Sequence, residues 1–125
     1  MTARLALTLA SLLLAIAVAL GAFGAHALKA RLTPDLLAVW HTAVQYHAWH
    51  ALGLFGVGLY LLNRPDASIA GWSAWLFVAG IVLFSGSLYA LALTGTRALG
   101  AVTPIGGAAF IAGWLAFAWA VWRAT

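Results

Sequence analysis

From Leu5 to Leu28 the chain runs about 24 positions without a charged side chain, enough to cross roughly 30 Å of hydrocarbon at about 1.5 Å per residue. Uncharged runs recur from Ile69 to Leu93 and from Pro104 to Trp122, and a further one begins near Ala43 and ends at Leu62. Only 6% of residues are charged, 66% are hydrophobic and the mean hydropathy is +1.05. Soluble domains carry roughly 25% charged residues, so a water-soluble globule is excluded. The net charge of +4 comes from isolated basic residues rather than a run or patch. Lys and Arg at the ends of apolar segments act as interfacial anchors, so no nucleic-acid partner is expected. Cysteine is absent, which rules out disulfides, thiolate metal sites and covalent haem attachment.

The punctuation between the runs defines four helices. Lys29 and Arg31 end the first. Thr33-Pro34-Asp35 is a helix-start signal: Thr33 can cap free amides, Pro34 suits the first helical position and Asp35 favours the positive end of the dipole. Asn63-Arg64-Pro65-Asp66 and Thr94-Gly95-Thr96-Arg97 read as turns, and Arg123 closes the last run. Short connections make neighbouring helices antiparallel. The expectation is a single all-α domain over residues 1–125, a polytopic membrane protein folded as a four-helix up-down transmembrane bundle. Its spans are about 5–28, 36–62, 69–93 and 104–122, with both termini on one side. Arg4, Arg64 and Arg123 fall on that side and Lys29, Arg31 and Arg97 on the other, so the basic-residue bias assigns no orientation.

The first run has an alternative reading. Arg4, the apolar stretch and Ala25-His26-Ala27 also fit a cleaved signal peptide. The stretch is long for that role, and Ala17, Gly21 and Ala25 lay a smooth stripe suited to close helix packing. A retained span is therefore expected. Similar small-residue steps, Gly86 and Ala90 in the third run and Gly106-Gly107 with Ala109 and Gly113 in the fourth, offer faces for packing or self-association.

Alternating helix direction gathers the polar residues into one half of the membrane. His26 lies late in the first span and His41, Gln45, Tyr46, His47 and His50 early in the second. Ser85, Ser87 and Tyr89 lie late in the third, and Thr103 precedes the fourth. The other half is apolar, with Tyr60, Trp72, Trp75, Trp119 and Trp122 as an aromatic belt. Within Trp40–His50, His47 and His50 share a helix face with Ala43 and Tyr46, while His41 points elsewhere. Trp40 and His41 are expected at the membrane boundary. Intramembrane ionisable groups face the bundle interior by default, so a candidate polar cluster comprises His26, Tyr46, His47, His50, Ser85, Ser87, Tyr89 and Thr103.

Several uses of this cluster fit the residues. Hydrogen bonding between helices needs no ligand. The pair His47 and His50, with His26 as a third ligand, would suit a metal or haem. A pocket for a lipid, quinone or other small molecule, or a pathway for a small solute or proton, would use the same groups. Catalysis has less support. Asp35 and Asp66, the only carboxylates, fall on opposite faces, so no carboxylate pair is available, and no metalloprotease, phosphate-loop or dinucleotide motif occurs.

Four ordered motifs carry a resemblance. Gly21-Ala-Phe-Gly-Ala-His26-Ala-Leu-Lys29 comes first, then Trp40-x-Thr42-Ala-Val-x-Tyr46-His47-x-x-His50-Ala-Leu52. Leu83-Phe-Ser-Gly-Ser-Leu-Tyr89 and Thr103-Pro-Ile-Gly-Gly107 with Gly113-Trp114 follow. Together they resemble the domain of unknown function 423 family, the YgdD- and YwdK-like bacterial inner-membrane proteins whose animal relative is transmembrane protein 256. The resemblance spans nearly the whole chain. It implies a bacterial inner-membrane protein that keeps its first span, and it implies no activity. It also places every residue of the candidate cluster, but not His41, in the family pattern. The expected function is that of a structural or accessory membrane component. It is not expected to be an enzyme and needs no cofactor; its partners would be the lipid bilayer and other membrane proteins or further copies of itself.

Overall fold

The computed structural model describes residues 1–124. Four long helices run up and down: α1 (Ala3–His26), α2 (Pro34–Asn63), α3 (Ser68–Thr94) and α4 (Thr103–Trp122). No strand occurs among the described residues. Thr2 caps α1 by accepting from the Leu5 amide. Thr33 does the same for α2 through the Leu36 amide, with Pro34 at the first helical position. The α3–α4 connection turns at Gly95, whose φ of 69° lies in the left-handed region that favours glycine. A 3-10 turn at Arg97–Ala101 then leads into α4.

α1, α3 and α4 are long and apolar enough to cross a membrane. α2 is longer still, but its first half carries Trp40, His41, Thr42, Gln45, Tyr46, His47 and His50, which lowers its hydropathy. Large apolar side chains such as Leu12, Val18, Val82, Ile111 and Leu115 cover the outside of the bundle, a surface suited to lipid.

α1 packs chiefly on α2 and α4 chiefly on α3, while α2 also lies along α3. Lipid tails are as apolar as Leu, so helices in a membrane are held by close contact and interhelical hydrogen bonds rather than by exclusion of water. The interfaces reflect this. α1 buries only Ala6, Ala10, Ala17 and Gly24, a seven-residue step between the last three. This face replaces the expected stripe, because Ala25 is exposed and Gly21 only partly covered. Gly106 and Gly113 are the close-contact positions of α4 rather than Gly107 and Ala109, and a Cβ at Gly86 would meet just the Ile81 carbonyl of its own helix, at 3.9 Å. The main core is Leu54, Val57, Leu61, Phe77, Ile81 and Phe110, and a smaller one at the opposite end from the termini holds Leu28, Trp40 and Ala92.

Between Ile81 and Ser85 the backbone of α3 widens into a π-helical turn. The Gly86 amide bonds to the Ile81 carbonyl, five residues back. Such a turn accommodates one extra residue and re-aims those after it. No local pattern in the sequence announced it.

Candidate functional site

Ala43, His47 and His50 lie on the buried face of α2. Opposite them, the π turn of α3 directs Ser85 at α2, and its hydroxyl donates to the Ala43 carbonyl at 2.8 Å. Two residues later, the Ser87 hydroxyl donates to the Phe84 carbonyl at 2.9 Å and shares a 2.7 Å hydrogen bond with Thr103 at the start of α4. The Tyr89 hydroxyl meets His47 Nδ1 at 2.9 Å. Three helices are thus joined by side chains from a single membrane half.

His47 and His50 are both buried, but they do not form one site. His47 points toward Tyr89 and α1. Its Nε2 is buried without a hydrogen-bond partner, and the Leu13 backbone of α1 lies nearby. His50 turns the other way. Its Nδ1 donates to the Tyr46 carbonyl at 2.7 Å; a carbonyl only accepts, so this nitrogen carries the proton. The His50 ring stacks on Phe110 at 3.5 Å between centroids with 9° between planes, and Phe77 and Trp114 border it. Tyr46 joins this layer through Phe84 at 4.5 Å. The space beside His50 is therefore filled by aromatic rings.

Two expectations do not hold, one for a cluster member and one for a boundary residue. His26 is exposed at the end of α1 and makes no hydrogen bond or ring contact with the cluster among the described residues. The proposed ligand trio of His26, His47 and His50 is not assembled, and no group of three His, Asp or Glu among the described residues converges as metal ligands. Trp40 is the second correction. Only 2% of it is exposed, so it is not a boundary anchor. Its indole nitrogen donates to the Leu20 carbonyl at 2.9 Å, and the ring lies against Tyr89 at 4.8 Å. His41 is exposed, as are Trp72, Trp75, Trp119 and Trp122 at the end that carries the termini.

Sequence reasoning also missed Ser73, which is fully buried in the apolar half and donates to the Gly113 carbonyl of α4 at 2.7 Å. The signal was available. A hydroxyl inside a hydrocarbon-length run must find an acceptor, and Gly113 supplies the close approach.

A family model described as a protein of unknown function (DUF423) matches residues 20–107, a segment holding all of α2 and α3 and every cluster residue. The chain belongs to this family. It is 52% identical to the UPF0382 membrane protein YwdK of Bacillus subtilis (strain 168) over 100 residues, 80% of this chain and 81% of that one. It is 46% identical to the UPF0382 membrane protein SH2409 of Staphylococcus haemolyticus (strain JCSC1435) over 112 residues, 90% of each chain. No solved structure matches. The family is one of membrane proteins without an assigned biochemical function, which agrees with the all-helical fold and its long apolar helices.

Proposed function

We propose that this protein is a non-enzymatic accessory component of the bacterial plasma membrane, with all four helices crossing the bilayer and the polar cluster serving to join them. One observation carries the reading: Ser85, Ser87, Thr103, Tyr89 and His47 direct their hydrogen bonds at one another and at the Ala43 and Phe84 carbonyls. The groups that could have held a substrate instead hold the helices. The exposed apolar faces would then engage another membrane protein or a second copy. Tagged protein extracted from native membranes in mild detergent is expected to carry a stoichiometric membrane partner or to run as an oligomer. Recovery of the lone monomer would reject the accessory role.

A binding role has one atom in its favour, the unpartnered Nε2 of His47. Under this reading a quinone or haem raises the thermal midpoint of the purified protein, and His47→Leu abolishes the rise. An unchanged midpoint and no Soret band on haem addition would dismiss it.

A further inference from the structure

At the end of the bundle that carries the termini, the close of α2, the start of α3 and the close of α4 surround a cavity of about 280 Å³. Arg64 and Arg123 line it from different helix ends, with Tyr60, Asp66 and Ser68 between them. Two arginines and one aspartate thus share the lining. Among the described residues, Arg64 commits one of its nitrogens, Nη2, to the Ala124 carbonyl at 2.9 Å. The Arg123 guanidinium rests 5.9 Å from the Trp119 ring. Neither pairs with a carboxylate among the described residues. The beginning of α3 has no side-chain cap, so its positive dipole end adds to the same field.

Depth decides what such a field would meet. The cavity lies at the helix ends, level with the exposed Trp119 and Trp122, where aromatic side chains mark the head-group layer. A second cavity of about 420 Å³ on the other side of the same turn is bordered by Pro65, Asp66, Trp72 and Trp75 and has no Lys or Arg. Its cation is the Met1 amino group, so arginine forks line just one of these two neighbouring hollows. Guanidinium forks suit phosphate oxygens, and basic pockets between transmembrane helices recognise anionic head groups.

We propose that the Arg64–Arg123 cavity binds the phosphodiester of an anionic phospholipid, fixing one lipid at the junction of α2, α3 and α4. The site is separate from the polar cluster and does not depend on the accessory role.

The test uses the full chain in mild detergent with phosphatidylglycerol or phosphatidylcholine added, bound lipid being counted by native mass spectrometry. Phosphatidylglycerol is expected to be retained in preference. Arg64→Gln and Arg123→Gln should each reduce the preference about fivefold, and Arg97→Gln at the opposite end should leave it unchanged. Should Arg64→Gln fail to fold through loss of its Ala124 contact, Arg123→Gln alone decides, because that exposed side chain bonds no backbone group among the described residues. A wild-type preference in Arg123→Gln would overturn the proposal. So would stabilisation by inorganic phosphate without any by phosphatidylglycerol, which would assign the cavity to a soluble anion.

Discussion

The indole nitrogen of Trp40 donates to the carbonyl of Leu20 at 2.9 Å, with the ring seated over Gly24. A Cβ at Gly24 would come within 2.5 Å of that ring. The contact latches α1 to α2, and α1 has little else to hold it because it lies chiefly against that one helix.

Trp40→Ala should therefore cost about 3–5 kcal/mol, as other large-to-small core substitutions do. Trp40→Phe keeps an aromatic ring and loses one interhelical hydrogen bond, a change of about 1 kcal/mol. Unfolding in mixed micelles of dodecyl sulfate and mild detergent measures both. A nearly neutral Trp40→Ala would return this side chain to the membrane boundary.

Glycine substitutions should divide by neighbour. At Gly106 an added Cβ would strike the Phe84 backbone, which cannot rotate aside, so Gly106→Ala is expected to destabilise by at least about 2 kcal/mol. Gly56 has no atom within 4 Å of that position, and Gly56→Ala should gain about 0.5–1 kcal/mol from helix preference. Equal thermal midpoints for the two variants would contradict the observed packing.

For His47 and Tyr89 the asymmetry matters more than the bond. Tyr89→Phe leaves both ring nitrogens of His47 buried without partners, whereas Tyr89→Phe with His47→Leu removes the polar groups together. The double variant should be more stable than Tyr89→Phe alone. The coupling energy should lie near 0.6 kcal/mol and below about 1.7 kcal/mol. Additive effects in a double-mutant cycle would show that the two groups do not interact.

Ser73 and Ser85 bond to carbonyls of α4 and α2 respectively. Ser73 precedes the π turn and Ser85 ends it, about 18 Å apart at helical rise. Ser73→Ala and Ser85→Ala should each cost about 0.6 kcal/mol and add within about 0.5 kcal/mol. Strong coupling in the combined variant would mean that α3 moves as one unit.

Deleting Leu83 tests the π turn directly. Without the extra residue, the segments before and after it rotate by about 100° relative to one another, so the Ser73 and Ser85 bonds cannot both form. The loss should exceed that of the two alanine variants combined. A deletion variant as stable as the parent would show that the widened turn does not set the register of α3.

Much of the candidate site was legible because periodicity acts locally. Ala43, His47 and His50 fall on one helical face by their spacing, and the Thr33-Pro34 start needs only neighbouring residues. Trp40 was misread because a tryptophan between polar and apolar sequence looks alike as an anchor and as a core residue. The difference lies in Gly24 and Leu20, on another helix. His26 was placed by depth alone, but depth does not specify the side of a helix that meets a neighbour.

By itself, the sequence determined a membrane protein of four antiparallel helices with its polar residues gathered toward one end, because length, charge and hydropathy are properties of each segment alone. The tertiary structure decided which of those residues meet. It separated His47 from His50, excluded His26, enclosed Trp40 and brought Arg64 to Arg123. These relationships depend on how each helix is rotated about its axis and on the extra residue in α3, and both follow from side-chain contacts between helices.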